Sequence, residues 1–275
     1  MKNPANFDRK RFQSEADKYA AYLETPEGRL RLDLPFATLQ EFLRMPQAKS
    51  SLRALDLGCG TGANGLRLAR LGLHVTLMDS SSAMLDIAKR AAQEAGITEK
   101  IETKHDDADQ MENLFPEGMF DVILCHNVLE FVDDPGAVVR SAARALRNSS
   151  GILSVLVRNG AGEVLKAALL AGDLAAAEQN LTAQWGNEAL YGGKVRLFMP
   201  ETTHTMLKEA SLEVIAERGV RVVSDYLSPR VSLSAEYKRI FELERKLGSR
   251  SDFSAVARYT HYLARRADPV IKDSA

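Results

Sequence analysis

A glycine-rich segment at residues 55–62 carries the strongest chemical signal in the chain. It reads Leu-Asp-Leu-Gly-Cys-Gly-Thr-Gly and stands where an apolar, strand-like run gives way to a helical pattern. Glycines at such a junction let the backbone turn tightly and approach a ligand that a Cβ atom would displace. Gly58, Cys59 and Gly60 are therefore candidate ligand contacts. The carboxylate of Asp56, just before them, suits a cationic group and would repel the pyrophosphate of a dinucleotide.

Acids also end the next two strand-like runs. Asp79 follows the run 74–78, and a carboxylate at the tip of this strand can accept hydrogen bonds from both hydroxyls of a ribose. Asp79 is equally placed to cap the helix that starts in the serines after it. The third run ends in His-Asp-Asp-Ala, where Asp107 and Ala108 are candidate contacts for an adenine amino group and Asp106 is the alternative acid.

A fourth run ends at Cys125, so His126 falls at the tip of its strand. Open α/β sheets bind ligands at the carboxyl ends of their strands, which makes His126 a candidate site residue. His126 is also the first candidate for a general base, if the substrate must lose a proton. The two cysteines, Cys59 and Cys125, are too few for a structural zinc site, and we predict no metal centre.

These residues need a sheet to bring them together. Five short apolar runs alternate with amphipathic helical patterns, which is typical of a parallel sheet wound by crossover helices. The five runs are 52–57, 74–78, 101–105, 120–125 and 152–157. Two later runs, at 212–223 and 259–264, add strands. We predict an N-terminal helical lid at 1–46 and one α/β domain at 47–275, with helical insertions at about 160–205 and 228–250.

The composition of the chain limits the classes of protein to which it can belong. The chain has 275 residues, 45% of them hydrophobic, and a formal net charge of −1, as expected for one globular domain. It has no apolar run of about 20 residues and no secretory signal region, so we expect a cytoplasmic protein that does not bind membranes. The charge argues against broad, non-specific binding to nucleic acid. The Ala- and Leu-rich pattern at 164–177 fits core packing or a dimer helix, which leaves monomer and homodimer open.

The four strand-end segments together resemble those of the class I S-adenosylmethionine-dependent methyltransferases. The family pattern has a glycine loop after strand one, an acid at the end of strand two and an adenine contact after strand three. After strand four it has a segment of polar and apolar residues like 126–135. The resemblance implies a Rossmann-like sheet of seven strands, the last antiparallel. It also implies S-adenosyl-L-methionine as the cofactor.

A more specific resemblance reaches beyond this core. The segments that carry it are 7–8, 22–31, 126–135, 219–227 and 258–265. They look like those of the bacterial tRNA 5-carboxymethoxyuridine methyltransferases, which esterify the carboxylate of a modified wobble uridine in tRNA. The cofactor contacts that this resemblance implies are Arg31, Gly58, Cys59, Asp79, Asp107, Ala108 and His126.

The kind of methyl acceptor decides what else the site needs. A carboxylic acid with a pKa near 4 is already ionised at neutral pH, so it needs a cation rather than a base. Arg158, Arg196 and Arg221 are the candidates to hold it, whereas an amine or phenol acceptor would call for His126. The alternative function is an O- or N-methyltransferase acting on small molecules in secondary metabolism. Asp56 disfavours an NAD-dependent oxidoreductase. A non-catalytic scaffold is disfavoured because every predicted cofactor position holds a residue that can bind the cofactor.

Overall fold

The computed structural model describes residues 10–44, 52–190 and 192–267, and a seven-stranded sheet forms the centre of the fold. The strands of the described residues, in chain order, are β1 Arg53–Leu57, β2 His74–Asp79, β3 Ile101–His105, β4 Val122–His126, β5 Ile152–Arg158, β6 Trp185–Asn187, β7 Lys194–Arg196, β8 Leu212–Val220 and β9 Tyr259–Arg266. The order across the main sheet is β3-β2-β1-β4-β5-β9-β8. Strands β1 to β5 run parallel, and β9 is antiparallel to both of its neighbours. The predicted Rossmann-like α/β fold is confirmed.

Helices connect the strands and cover the sheet. Those of the described residues are α1 Lys10–Ser14, α2 Ala16–Glu24, α3 Pro26–Phe42, α4 Ala63–Arg70, α5 Ser82–Glu94, α6 Met111–Leu114, α7 Pro135–Ala145, α8 Gly160–Leu165, α9 Leu174–Asn180, α10 Pro200–Glu209, α11 Tyr237–Gly248 and α12 Ser251–Ser254. Strand β5 is buried at every position, as expected for a central strand with packed layers on both faces. Within the described ranges, no helix is both long and apolar enough to cross a membrane.

The first helices of the chain pack beside the carboxyl end of β2. The side-chain oxygen Oε1 of Gln13 accepts a hydrogen bond of 3.1 Å from the backbone N–H of Ala83, at the start of α5. The hydroxyl of Ser81 donates to the carbonyl of Phe12 at 3.2 Å. The described part of the predicted lid therefore lies against the edge where the strand-end motifs meet. The segment 7–8 falls outside the described residues, and the division into lid and domain stays a prediction.

Three details differ from the sequence prediction. The insertion at 160–205 is not helical throughout, because β6 and β7 form an antiparallel hairpin whose turn contains Gly192 and Gly193 at φ of 75° and 80°. The insertion predicted as helical at about 228–250 holds its long helix, α11, only from Tyr237 to Gly248. Strand β8 ends at Val220 because Arg221, with φ of 60°, leaves the extended conformation.

Candidate functional site

An open cavity lies at the carboxyl ends of the parallel strands. The predicted site residues that line it are Arg31, Gly58, Gly60, Asp79, Asp107, Ala108, His126 and Arg158. Asp106, the alternative acid, lines it as well. Asp56 and Cys59 instead line a smaller adjoining cavity, which shares Arg31, Gly58 and His126 with the first. The fold thus brings most of the predicted site residues to one place.

The glycine loop forms a cradle in which side chains would not fit. Gly58 and Gly60 have φ of 61° and 54°, a left-handed conformation that favours glycine. A Cβ atom on Gly58 would come within 2.4 Å of Cγ2 of Val128, and one on Gly60 within 2.9 Å of Cε1 of Tyr19. Bare backbone therefore faces the cavity here. This is the geometry that a closely bound ligand requires.

Asp79 fixes the glycine loop and still offers acceptor capacity to a ligand. One carboxylate oxygen accepts from the N–H of Gly60 at 2.8 Å and the other from the N–H of Ser81 at 2.9 Å. Burial raises the pKa of Asp79, although these two N–H groups oppose the rise. Each carboxylate oxygen has a second lone-pair site, so the pair of hydroxyls on a ribose can still be accepted. The helix cap of α5 is Ser81, whose hydroxyl accepts from Met84 N–H, and not Asp79.

Asp56 is buried beneath the glycine loop. Its Oδ2 accepts a hydrogen bond of 2.9 Å from the N–H of Gly65 and so ties β1 to α4. Burial raises the pKa of Asp56 to about 7, and the neighbouring Asp79 contributes to the rise. Burial likewise raises the pKa of the Cys59 thiol, which makes it an unreactive neutral group. Asp56 thus ties the loop to α4, and Cys59 is a neutral member of the loop itself.

We expect Asp56→Asn to stabilise the protein at neutral and alkaline pH in the absence of ligand. Between its ordinary pKa near 4 and about 7, the folded state holds a proton that the unfolded state releases, so stability falls as pH rises through this window. Asparagine cannot ionise and keeps an acceptor for Gly65. The variant should be more stable by about 2–4 kcal/mol at pH 8 and by much less at pH 5. Thermal unfolding at both pH values measures this, and parallel pH profiles for the two proteins would contradict it.

His126 is held by hydrogen bonds at both ring nitrogens. Nδ1 lies 3.2 Å from the side-chain nitrogen of Asn64, and Nε2 lies 2.8 Å from the hydroxyl of Ser154. Burial lowers the pKa of His126 to about 3, with a smaller contribution from Arg31, so the ring is neutral at physiological pH. A neutral ring with both nitrogens engaged is poorly suited to taking a proton. His126 is a wall of the cavity, and the geometry does not support its predicted role as a base.

Glu130 lines the cavity and was not predicted as a site residue. Its Oε1 accepts from the side-chain N–H of Asn127 at 3.0 Å and from the backbone N–H of Arg158 at 2.7 Å. Its buried Oε2 has no hydrogen-bond partner among the described residues. A buried carboxylate oxygen without a hydrogen-bond partner favours a cationic or hydrogen-bond-donating ligand beside it. Together with the cradle and Asp79, this fits S-adenosylmethionine, which carries a sulfonium, an ammonium and a ribose.

The cavity also has a cationic side. Arg158 lines it, and so does Tyr259, the first residue of β9, which pairs with Arg158 across the sheet. Burial raises the pKa of Tyr259, but the guanidinium groups of Arg158, Arg31 and Arg221 outweigh burial and lower it to about 8. These guanidinium groups favour a negative charge beside them, so an anionic group on a substrate would be attracted to this side of the cavity.

Two of the arginines predicted to hold the acceptor lie elsewhere. Arg221 is buried, donates twice to Oδ1 of Asp225 and once to the hydroxyl of Tyr22, and does not line the cavity. The guanidinium of Arg196 lies 4.8 Å from the ring centroid of Trp185, likewise outside the cavity lining. Both cations serve internal contacts, and Arg158 alone of the three is placed to meet a substrate.

Four further residues line the cavity and were not predicted as site residues. Glu130 and Phe131 belong to the segment 126–135, so their position in this motif could have singled them out. Glu188 reaches the cavity through the β6–β7 hairpin, which the sequence pattern did not predict, and Tyr19 reaches it from α2.

Comparisons with known proteins also indicate a methyltransferase. The sequence profile of a family described as "Methyltransferase domain" matches residues 55–155. The tRNA 5-carboxymethoxyuridine methyltransferase of Escherichia coli (strain K12) is 29% identical over 269 residues, which are 95% of this chain and 97% of that protein. The ubiquinone biosynthesis O-methyltransferase of Xanthomonas axonopodis pv. citri (strain 306) is 31% identical over 162 residues, or 56% of this chain and 65% of that one.

A solved structure has the same architecture. The CcbJ methyltransferase from Streptomyces caelestis superimposes with a TM-score of 0.64, covering 95% of this chain and 100% of that one, at 18% identity. At this level of identity the likeness shows the fold alone, since one fold can host different chemistries.

Proposed function

This protein is an S-adenosylmethionine-dependent methyltransferase, and we propose that its methyl acceptor is the carboxylate of 5-carboxymethoxyuridine in tRNA. The observation that carries the proposal is the extent of the likeness to the Escherichia coli tRNA enzyme, which covers 95% of this chain. The family match at residues 55–155 spans the cofactor-binding strands. The likeness to the tRNA enzyme continues through the N-terminal helices and the late insertions.

Each side of the cavity then has a role towards the cofactor. Asp79 would accept the ribose hydroxyls, Asp107 and Ala108 would meet the adenine edge, and the backbone at Gly58 and Gly60 would face the methionyl group. Arg31, whose guanidinium donates to the hydroxyl of Tyr19 at 3.0 Å, pairs with the methionyl carboxylate. When bound, S-adenosylmethionine supplies a methyl group on a positively charged sulfur, ready for attack by a nucleophile.

The protein contributes position and a dry, charged environment rather than acid–base chemistry. The acceptor carboxylate is already ionised at neutral pH. Arg158 would hold this carboxylate at the cavity wall, so that position rather than proton transfer is what the protein contributes. With the cofactor bound, transfer of its methyl group to a carboxylate oxygen would give a methyl ester and leave the cofactor sulfur as a neutral thioether. No proton moves, which agrees with a His126 ring that is neutral and engaged at both nitrogens.

A direct assay tests the acceptor. Purified protein should methylate tRNA isolated from a strain of the source organism that lacks this gene, and mass spectrometry of the digested tRNA should find the methyl ester of the modified uridine. Because tRNA binding neutralises phosphates, the affinity should fall with salt, with a log–log slope of about −0.7 to −0.9 for each phosphate contacted. Exposed Lys194, on the hairpin that borders the cavity, is our candidate for one of these contacts.

Lys194→Ala should reduce the magnitude of this salt slope by about 0.7–0.9, the contribution of one phosphate. The matched control is Lys100→Ala, because Lys100 precedes β3 at the opposite, amino-terminal edge of the sheet. Equal activity on the free nucleoside and on tRNA, or turnover that does not change with salt, would instead favour a small-molecule methyltransferase.

A further inference from the structure

The guanidinium of Arg158, the proposed holder of the acceptor, already binds a carboxylate of the protein. Its NH2 group donates to Oε2 of Glu188 at 2.8 Å, and NH1 donates to the carbonyl of Asn187 at 3.3 Å. Its Nε lies 3.7 Å from Oε1 of Glu163. The side chains of Arg158 and Glu188 are 9% and 11% exposed, and both line the cavity. An acceptor carboxylate therefore meets an arginine whose outer face is occupied.

The two carboxylates on Arg158 are held very differently. Glu163 lies in α8 and is also bound by Arg258, whose NH1 donates to Oε1 at 2.9 Å, so it is fixed within the fold. Glu188 follows β6, in a two-stranded hairpin that is separate from the main sheet. Apart from Arg158, its side chain is bonded by the N–H of Leu190, two residues further along the same turn. Within the described residues, the side chain of Glu188 is thus held from outside its own turn by Arg158, whereas Glu163 is also bound by Arg258.

The turn that carries Glu188 is attached to the rest of the site by exposed contacts. Lys18, in α2, donates to the carbonyl of Leu190 at 2.6 Å, and Arg11, in α1, donates to the carbonyl of Gly192 at 2.5 Å. No described atom lies within 4 Å of a Cβ position built on Gly192, so this part of the turn has open space around it. These two surface hydrogen bonds connect the described residues of the turn to the N-terminal helices.

We propose that Glu188 is a specificity residue that occupies the place of the acceptor carboxylate on Arg158 and is displaced by it. The proposal rests on the proposed function, because it requires an anionic acceptor. Exchange of one carboxylate for another leaves Arg158 paired throughout. An uncharged acceptor that displaced Glu188 would leave the buried guanidinium of Arg158 without this partner, which is unfavourable. Glu188 thereby admits acceptors that carry a carboxylate and rejects those that do not.

The test is Glu188→Gln, assayed on tRNA that carries 5-carboxymethoxyuridine. Glutamine keeps the size of the side chain, but its hydrogen bond to Arg158 is neutral and weaker, so it competes less well with the substrate. We expect the KM for tRNA to fall about 3- to 10-fold, while kcat changes by less than about 2-fold. The dissociation constant of the same tRNA, measured by filter binding without cofactor, should fall in parallel.

The matched control is Glu163→Gln, which removes the other carboxylate near Arg158. Because Glu163 also pairs with Arg258, its loss should not lower the KM. Circular dichroism melts of both variants separate loss of folding from loss of binding. A KM for Glu188→Gln that is unchanged or raised would overturn the proposal, since Glu188 would then serve only to orient Arg158. If the wild-type protein forms no methyl ester on this tRNA, the proposed function fails, and this inference fails with it.

Discussion

Replacing Asp79 with alanine is expected to weaken the binding of S-adenosylmethionine by about 2 kcal/mol or more, since hydrogen bonds to a charged group contribute about 1.5–3 kcal/mol. The carboxylate lies at the tip of β2, lines the cavity and already positions the N–H of Gly60. Its removal takes away the acceptor for two ribose hydroxyls and loosens the loop in the same step. Isothermal titration calorimetry measures the change.

The control for Asp79 is Asp121→Ala. Asp121 also accepts from a backbone N–H, that of Arg53, but it lies at the opposite, amino-terminal edge of the sheet, so cofactor affinity should not change. Titration with S-adenosylhomocysteine, which has the ribose but no positive sulfur, separates two causes. Equal losses for both ligands indicate hydrogen bonding to the hydroxyls, and a loss for S-adenosylmethionine alone indicates charge attraction. An unchanged dissociation constant in a folded variant would exclude Asp79 from the cofactor site.

Arg158→Gln is expected to lower kcat/KM for the carboxylate acceptor about 10- to 100-fold, the effect of losing a charged hydrogen-bond partner worth about 1.5–3 kcal/mol. Cofactor affinity should stay near that of the wild type. The single variant should also lose about 3–5 kcal/mol of stability, because it leaves the buried carboxylates of Glu163 and Glu188 without Arg158. Steady-state kinetics and chemical denaturation measure the two effects.

A double variant separates stability from catalysis. Arg158→Gln combined with Glu188→Gln removes one charge of each sign, so it should recover part of the lost stability without recovering activity. Arg196→Gln is the matched control, because Arg196 lies over Trp185 and outside the cavity lining. If Arg196→Gln abolishes methylation and Arg158→Gln does not, the acceptor is held on the other side of the hairpin.

The positions of the cofactor residues could be predicted well from sequence, for a definite reason. Asp79, Asp107 and His126 each stand at or just after the end of an apolar run, and the carboxyl ends of parallel strands meet at one edge of a sheet. Once the alternation of strands and helices is recognised, topology alone brings these residues together. The glycines are equally local signals, since the left-handed turn at Gly58 and Gly60 is a property of the loop itself.

The acceptor side of the cavity could not be predicted in the same way. Arg158, Arg196 and Arg221 look alike in sequence, and only their partners distinguish them. Arg221 pairs with Asp225, only four residues further along the chain. Arg196 and Arg158 instead contact Trp185 and Glu188, which the hairpin brings to them. The strands of that hairpin are three residues each, too short for a clear alternating pattern.

By itself, the sequence determined the sheet, the glycine cradle and the acids that line the cavity, because each depends on local conformation and on strand order. Only the tertiary structure decided which of the three candidate arginines lines the cavity, that both nitrogens of His126 are engaged, and that Glu188 covers Arg158. These features depend on which charged and polar groups lie within hydrogen-bond distance and how deeply they are buried. Both are properties of contacts between residues far apart in the chain, and spacing along the sequence does not encode them.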